Sequence, residues 1–370
     1  MRVTTVKLRD FRSYERAAAQ LGSSLTVVYG ANGAGKSNLL EALYFGCTGR
    51  SCRTSNEREL VRFGAVTTRV VVTAQNEYGS HELAVGLTPG EAKRMMVDGS
   101  PVERLLDSSQ RPLVSVFLPD RLELVKGVPA LRRAHLDQLV TALWPSRSTN
   151  RRTYAQALAQ RNALLSRIRS QGGSRTGLEA WDGQLARYAL NLMADREQAI
   201  TAVQEPFRAI CGQLGLDGAP ELTYKPRSRV QSAEDFQQEL RMRIDSDLER
   251  GFTGYGPHRD DFSITREQRE LRTYGSQGQQ RLALLALLLA EREVIGATRG
   301  SMPLILLDDV MSELDLQRRQ TLVALLRSDG GQALITTTDL EHVPGGALED
   351  VTRLQIDGGA VIVDELGLEQ

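Results

Sequence analysis

Apolar and polar positions in the first third of the chain follow the spacing expected of an α/β fold. The run at residues 25–29 is largely apolar and predicts a buried strand, and residues 38–45 predict the helix that follows it. Residues 65–118 contain several short alternating runs, in which Asp98 followed by Gly99 is a hairpin signal. This part therefore predicts a strand–loop–helix unit followed by a β-rich lobe.

From about residue 131 the apolar spacing changes from that of strands to that of helices. The helical runs are 131–143, 154–168 and 178–210. After about residue 251 strands and helices alternate again, with apolar strands at 304–307 and 333–337. At 370 residues the chain exceeds the usual size of one domain. The pattern predicts the first part of an α/β head (1–125), an inserted helical domain (126–250) and the rest of the head (251–370).

The residues after the first apolar strand match the phosphate-binding pattern G-x-x-x-x-G-K-[ST] in full. They are Gly30, Ala31, Asn32, Gly33, Ala34, Gly35, Lys36 and Ser37, and Asn38 continues into the helix. Glycines allow consecutive backbone N–H groups to turn toward one point, where a phosphate binds beside the helix N-terminus. Lys36 then reaches the β- and γ-phosphates of ATP, and the Ser37 hydroxyl binds Mg²⁺.

A second apolar strand ends in two acids, and a helix with a glutamine-rich start precedes it. Asp308 is placed to hold the metal, and Asp309 to polarise the attacking water. The helix start consists of Ser276, Gln277, Gly278 and Gln279, whose hydroxyl and N–H groups can face a γ-phosphate. We expect this helix to lie away from the P-loop of its own chain and to complete the ATP site of a second copy. A glutamine-rich cap on a core helix is the alternative interpretation.

The charges balance overall but are unevenly distributed, since basic and acidic residues number 46 each. Residues 138–178 contain no acid, and together with the basic residues just before them they predict a surface for DNA phosphates. The candidate contacts are Arg132, Arg133, Arg147, Arg151, Arg152 and Arg161. For any single arginine, solvation of a helix face is the alternative. Zero net charge predicts that DNA affinity depends on an ATP-driven dimer that brings two patches together.

Cysteine use and apolar run length exclude other classes. The three cysteines form neither a Cys-x-x-Cys pair nor a disulfide-rich pattern. The longest strongly apolar run, 282–290, has nine residues, whereas a membrane helix needs about 20. The chain begins in a strand-like segment without a cationic and apolar leader, which predicts a cytoplasmic protein without membrane contact.

These motifs and their order resemble the RecF family of DNA-repair ATPases. The resemblance rests on residues 30–42, 49–54, 118–120, 124–127, 132–133, 256–261, 274–281, 306–315 and 336–339. It implies an α/β fold of the ABC type, a Rad50/SMC-like ATPase head with a β-rich lobe and an inserted, mostly helical second domain. It also implies ATP-dependent homodimerisation on duplex or gapped DNA, slow DNA-stimulated ATP hydrolysis, and cooperation with RecR, with or without RecO, in directing RecA to gaps.

Three single residues carry further expectations. Arg12 resembles an arginine that related heads place near the nucleotide, and a plain surface arginine is the alternative. Asp120 follows a predicted strand and is placed to approach the metal. His258, in the turn at 256–261, can act as a catalytic base, although a structural role in orienting that turn is the favoured interpretation.

The nucleotide motifs alone also fit two other functions. An ATPase subunit of an ABC transporter is one, but the segment 336–339 lacks the switch histidine of such subunits, and the helical insertion and the altered signature also count against it. A short Rad50/SMC-like head that acts with a nuclease is the other, although the chain has no long coiled coil.

Overall fold

The computed structural model describes residues 1–118, 122–172, 174–328 and 330–363, which form two compact units. The first unit comprises Met1–Arg121, Gln213–Gly215 and Ile295–Gln370, and the second comprises Leu122–Gly212 and Leu216–Val294. Residues 251–294, which the sequence pattern assigns to the head, thus lie in the second unit. The division into head and insertion stays a prediction.

The strands and helices follow one another along both units. The strands are β1 (Arg2–Phe11), β2 (Tyr14–Gln20), β3 (Leu25–Tyr29), β4 (Thr68–Asn76), β5 (Gly79–Leu87), β6 (Arg94–Val97), β7 (Ser100–Pro101), β8 (Val114–Phe117), β9 (Glu221–Lys225), β10 (Asp261–Arg266), β11 (Arg269–Glu270), β12 (Leu304–Leu307), β13 (Ala333–Thr337), β14 (Thr352–Asp357) and β15 (Ala360–Val363). The helices are α1 (Lys36–Thr48), α2 (Glu123–Lys126), α3 (Pro129–Leu143), α4 (Ser148–Gln171), α5 (Leu178–Gln213), α6 (Ala233–Met242), α7 (Ile244–Arg250), α8 (Leu271–Tyr274), α9 (Gln277–Arg299) and α10 (Leu316–Ser328).

The first unit contains an antiparallel sheet with the strand order β2-β1-β4-β5-β6-β7. Val70 and Val72 of β4 are fully buried beneath α1. A Cβ on Gly46 of α1 would lie 2.4 Å from the Cγ2 atom of Val72, so the helix approaches this face as closely as a glycine allows. Because side chains alternate along a strand, the residues between these valines face away from α1.

The second sheet of this unit has the order β15-β14-β3-β13-β12-β8, and all its strands except β15 run parallel. All residues of β12 and β13 are buried, as expected for a parallel sheet that is covered on both faces. The carboxyl ends of β3, β13 and β12 lie at the same edge. This edge is where open α/β sheets bind their ligands.

The second unit combines helices with a small sheet of order β11-β10-β9. Its longest helix, α5, has 36 residues and contains Pro206. Leu185 and Leu192 of α5 join Tyr154 of α4 and Phe236 of α6 in one apolar cluster. This packing confirms the apolar helix faces that the sequence predicts. Within the described ranges, none of the helices combines the length and apolarity needed to cross a lipid bilayer.

Candidate functional site

The loop between β3 and α1 has the backbone conformation of an anion-binding nest. Gly30, Gly33 and Gly35 have positive φ angles of 150°, 80° and 119°. A Cβ on Gly30 would lie 2.2 Å from the carbonyl oxygen of Ile356, and one on Gly35 would lie 3.0 Å from the hydroxyl of Tyr14. Both the backbone and the neighbours therefore require glycine at these two positions.

Lys36 is the first residue of α1 and is buried, with 8% of its surface exposed. Its ammonium group donates to the carbonyl oxygens of Gly30 and Ala31 at 2.8 and 2.9 Å. Burial lowers the pKa of Lys36, while the carboxylates of Asp309 and Asp308 act in the opposite direction. The loop therefore encloses one cation beside two acids. Exposed Asn32 and half-buried Ala34 complete it.

Ser37 and Asp308 meet although 271 residues separate them in the chain. The Ser37 hydroxyl donates to Oδ1 of Asp308 at 2.9 Å. Hydroxyl and carboxylate oxygens are the hard ligands that Mg²⁺ prefers, so these two residues fit a magnesium ion. Within the described ranges, histidine, cysteine, aspartate and glutamate form no group of three or more that could hold a metal. Few protein ligands are typical of Mg²⁺ sites that use nucleotide phosphates and water.

Thr336 is a site residue that the sequence left without a role. Its fully buried hydroxyl donates to Oδ1 of Asp308 at 2.6 Å and accepts from the N–H of Asp309 at 2.9 Å. Thr336 lies on β13, between the strand that leads into the loop and the strand that carries the acids. Only the pairing of β12 with β13 brings it opposite Asp308, and a single sequence does not display that register.

Asp309 has a backbone conformation that is rare for a residue with a side chain. Its φ of 43° lies in the left-handed region, which costs roughly 1–2 kcal/mol in a non-glycine residue. The hydroxyl of Ser312 donates to its carboxylate at 2.9 Å. Strained residues of this kind concentrate at functional sites. The role of Asp309 with the attacking water stays a prediction.

Arg12 pairs with an acid on the helix that follows the loop. Its guanidinium group donates to both carboxylate oxygens of Glu41 at 2.9 and 3.0 Å. Glu41 lies on α1 and is fully buried. A buried carboxylate requires a cation, so this pair has a structural role, and a contact of Arg12 with nucleotide stays a prediction. Glu41 belongs to a segment that carries the family resemblance, but its partner comes from the turn between β1 and β2.

The same turn supports the loop at two more points. The Tyr14 hydroxyl donates to the carbonyl oxygen of Gly35 at 3.0 Å. The Asn38 amide donates to the Ser13 hydroxyl at 2.9 Å and accepts from Arg53 at 2.9 Å. Asn38 thus fixes the first turn of α1 through its neighbours.

The predicted signature residues form the capped N-terminus of α9 in the second unit. The N–H of Ser276 donates to the Gln279 side chain at 2.9 Å, and the N–H of Gln279 donates to the Ser276 hydroxyl at 3.3 Å. This reciprocal pair is a capping box. Ser276, Gln277 and Gly278 are exposed, so the helix presents its positive end to solvent. Its completion of a second copy's ATP site stays a prediction.

Two of the arginines expected to contact DNA are buried instead. Arg132 is 2% exposed and donates to both carboxylate oxygens of Asp261 at 2.6 and 2.7 Å. Arg161 is fully buried and donates to Asp182 and Asp247 at 2.6 and 2.7 Å. Guanidinium groups enclosed in this way are not available to phosphates, so the structure corrects the expectation for these two residues.

The remaining candidates differ in how much of the side chain is available. Three of them contact acceptors: Arg133 the carbonyl oxygen of Asp260 at 2.8 Å, Arg147 the carboxylate of Asp195 at 3.1 Å, and Arg151 that of Asp137 at 3.2 Å. Arg152 is exposed. The acids that neutralise residues 138–178 come from other segments, which explains why an acid-free stretch of sequence overstated the positive charge of this surface.

His258 supports the turn at 256–261 from within. Its Nδ1 atom lies 2.7 Å from the Tyr154 hydroxyl, and its Nε2 atom lies 2.9 Å from the carbonyl oxygen of Thr253. Burial lowers the pKa of His258 to about 4. A neutral ring that accepts from Tyr154 and donates to Thr253 satisfies both contacts. These bonds favour the structural interpretation over a catalytic base. Asp120 lies outside the described residues.

The phosphate-binding loop follows β3, and the two acids follow β12, which is separated from β3 in the parallel sheet by β13. This arrangement defines an ATPase head of the ABC type. Residues 2–354 match the model of the RecF/RecN/SMC N terminal domain. An SMC head domain from Pyrococcus furiosus shares the fold, with a TM-score of 0.60 at 17% identity over 98% of this chain and 95% of that chain. The predicted fold class is therefore confirmed.

Closer relatives identify the family. The DNA replication and repair protein RecF of Anaeromyxobacter sp. (strain Fw109-5) is 38% identical over 375 residues, which cover 98% of this chain and 99% of the relative. A solved structure of the recombination mediator protein RecF with ATP has a TM-score of 0.84 at 28% identity, covering 98% of this chain and 97% of that one. The chain belongs to the RecF family of DNA replication and repair proteins. Membership decides against the transporter subunit that the nucleotide motifs alone allowed.

Substitution of Thr336 by valine tests whether the Thr336 hydroxyl positions Asp308 and Asp309. Valine keeps the shape but removes the donor to Asp308 and the acceptor for the N–H of Asp309. We expect kcat for ATP hydrolysis to fall about tenfold or more with little change in KM, because charged hydrogen bonds contribute roughly 1.5–3 kcal/mol. Steady-state kinetics measure this effect. Thr336→Ser should retain most activity, and so should Thr337→Val, since the Thr337 hydroxyl donates to the carbonyl oxygen of Asp339 and not to an acid of the site. A fully active Thr336→Val protein would contradict the assignment.

The neutral state of His258 predicts a loss of stability in mild acid. The unfolded chain binds the proton with a pKa of about 6.5, whereas the folded protein binds it with a pKa of about 4. The unfolded state therefore holds more protons between these values, and stability falls as the pH decreases through this window. Between about pH 7 and pH 5 the free energy of unfolding should drop by roughly 1–2 kcal/mol more in wild type than in His258→Asn. Urea unfolding at both pH values measures it, and equal losses would refute the prediction.

Proposed function

We propose that this protein is an ATP-dependent DNA-binding protein of recombinational repair and replication, in which ATP closes two copies on DNA at gaps. The observation that carries the proposal is the contact of Ser37 with Asp308 beside Lys36, inside a glycine loop built for phosphates. Relatives of nearly the same length are named for DNA replication and repair, and one related structure contains ATP. Slow hydrolysis then acts as a timing step, which DNA stimulates.

Different residues would bind the phosphates, hold the metal and orient the attacking water. The N–H groups of the loop and the ammonium group of Lys36 bind the phosphates. Ser37 and Asp308 would hold Mg²⁺, which neutralises charge on the phosphates when it is bound. Asp309 is positioned to orient the attacking water, with its carboxylate held by Ser312.

The exposed start of α9 supports the proposed dimerisation. Ser276 and Gly278 are exposed, and the capping box leaves further N–H groups of the first turn directed outward. A γ-phosphate bound to a second copy would satisfy these donors and the helix dipole. Two such contacts, related by symmetry, would hold the two copies together only while ATP is intact.

A row of arginines crosses the antiparallel sheet on the face opposite α1. Direct cross-strand pairs join Arg16 to Arg9, Arg9 to Arg69, Arg69 to Gly86 and Gly86 to Arg94. All four arginines are exposed, and we call them the arginine row. Since neighbouring strands lie about 4.8 Å apart, the row extends for roughly 19 Å from β2 to β6.

The arginine row has little internal compensation for its charge. Like charges directly opposite each other destabilise a sheet. Asp10, which is next to Arg9 in sequence, lies 3.9 Å from its guanidinium group but pairs more closely with Arg62, at 2.8 Å. The phosphates of a DNA duplex would relieve this repulsion without any reading of sequence. We therefore assign the main duplex contacts to the arginine row, with exposed Arg152 as a secondary contact.

Partners enter the proposal through family membership alone. We propose cooperation with RecR, with or without RecO, in directing RecA to gapped DNA, and a cytoplasmic location. A related structure is described as part of the RecFOR pathway.

The shared ATP site is tested by the oligomeric state of three variants with and without ATP. Lys36→Met should lose the response to nucleotide. Ser276→Arg should bind ATP but dimerise at least about tenfold more weakly, a penalty of roughly 1.4 kcal/mol. Ser166→Arg, which alters an exposed serine of α4, is the matched control and should dimerise normally. Sedimentation velocity and nucleotide binding measure both properties. Normal ATP-dependent dimerisation of Ser276→Arg would exclude the shared site.

The arginine row is tested by the affinity for duplex DNA as salt is varied. Arg9→Gln/Arg69→Gln should weaken binding in the presence of ATP. The slope of log K against log salt should fall by about 0.9 for each phosphate that the variant no longer neutralises. Arg58→Gln/Arg104→Gln removes the same charge from exposed positions of the first unit outside the row. Equal losses of affinity in the two double variants would show that only net charge matters and would refute the assignment.

A further inference from the structure

An open cleft in the second unit concentrates positive charge beside an aromatic ring. It has a volume of about 420 Å³ and is lined by Arg227, Arg250, Phe252, Gly254 and Arg259. We call it the arginine cleft. None of its lining residues is acidic. Its volume lies in the range of ordinary ligand-binding clefts, roughly 300–1,000 Å³.

Buried acids fix the backbone of the arginine cleft. Oδ1 of Asp260 accepts from the N–H of Arg227 at 2.6 Å, and Oδ1 of Asp247 accepts from the N–H of Gly254 at 2.9 Å. Arg259 ends a single 3₁₀ turn whose N–H bonds back to Gly256 at 2.8 Å. The positions of these residues are therefore set before any ligand binds.

Each of those acids pairs with a buried arginine from elsewhere, which it shares with a second aspartate. Asp247 pairs with fully buried Arg161 at 2.7 Å, and Asp260 pairs with Arg196, which is 2% exposed, at 3.3 Å. Asp247 and Asp260 are themselves 2% and 1% exposed. Both carboxylates are thus enclosed in buried ion pairs, and within the described residues neither forms an ion pair with a guanidinium group of the cleft.

The three arginines of the cleft stay available to a ligand. Among the described residues, no ion pair or side-chain hydrogen bond joins the guanidinium group of Arg227, Arg250 or Arg259 to an acid. The Arg259 guanidinium lies 5.6 Å from the ring centroid of Phe252, which is 40% exposed. A Cβ on Gly254 would lie 2.9 Å from Nη1 of Arg250, so this glycine lets that side chain lie against the backbone.

We propose that the arginine cleft binds single-stranded nucleic acid, with successive phosphates on the arginines and one base against Phe252. Convergent like charges in a concave surface favour a multivalent anion. An exposed aromatic ring beside arginines is the arrangement that stacks an unpaired base. The bases of a duplex are already stacked on each other, so a duplex cannot use that ring. The inference rests on the proposed function for the choice of nucleic acid as ligand.

The test measures binding of a labelled oligothymidylate to nucleotide-free protein by fluorescence anisotropy. Arg250→Gln and Arg259→Gln should each weaken binding about five- to tenfold and reduce the salt slope by roughly 0.7 for each phosphate left without its arginine. Phe252→Leu should weaken binding about fivefold or more because the ring no longer stacks on a base. Arg187→Gln, which alters an exposed arginine of α5 outside the cleft, is the matched control and should bind as wild type.

Parallel titrations with a duplex of the same length and with tripolyphosphate identify the ligand. Selective loss of oligothymidylate binding in the cleft variants supports the proposal. The proposal would be overturned if the cleft variants lost duplex and single-strand binding equally, or if their single-strand binding were unchanged. It would also be overturned if, in the presence of competing tripolyphosphate, wild type and Phe252→Leu bound oligothymidylate equally well. ATP-dependent dimerisation is measured on the same variants and should be unchanged. A failure of the dimer model would therefore appear in the dimerisation measurement, and a failure of the cleft proposal would appear in the binding of oligothymidylate.

Discussion

The hydrogen bond from Ser37 to Asp308 depends on the order of strands in the parallel sheet. β3 delivers the phosphate-binding loop, β12 delivers the acids, and β13 between them delivers Thr336. Because parallel strands end at one edge, residues 271 positions apart reach the same point. The register matters as much as the order, since side chains alternate along a strand and a shift of one residue would turn Thr336 away from both acids.

The sequence predicted the parts of this site that have fixed local spacing. The glycine loop is a local pattern, and the strands at 25–29, 304–307 and 333–337 are correct to the residue, because short, mostly apolar runs of this kind favour buried strands. The pair of Arg12 with Glu41 and the position of Thr336 depend on tertiary contacts. The short strands β9 to β11 were missed, since β9 and β10 alternate but contain only two apolar residues each, and β11 has only two residues in all.

Charge shows the same distinction between local and tertiary information. A count along the chain marked 138–178 as basic, but Arg161 is enclosed by two aspartates, Asp182 and Asp247, that lie outside this stretch. The arginine row is the opposite case. Its members at positions 9, 16, 69 and 94 are scattered in sequence and come together only through the register of five strands. The charge density of a surface thus depends on which strands and ion pairs form in the fold, and it cannot be read from the composition of the chain.

Both basic surfaces consist of arginine rather than lysine, and this lowers the free-energy cost of placing like charges close together. Only five of the 46 basic residues are lysines. A guanidinium group is planar, spreads its charge and is more weakly hydrated than an ammonium group, so arginines can approach one another and lie on aromatic rings at lower cost. The row and the cleft differ in shape, however. A flat row suits the regular phosphates of a duplex, whereas a concave site with Phe252 suits a strand whose bases are unpaired. The proposed action at gaps would bring the protein into contact with both forms of DNA, and the two proposals assign one form to a surface of each unit.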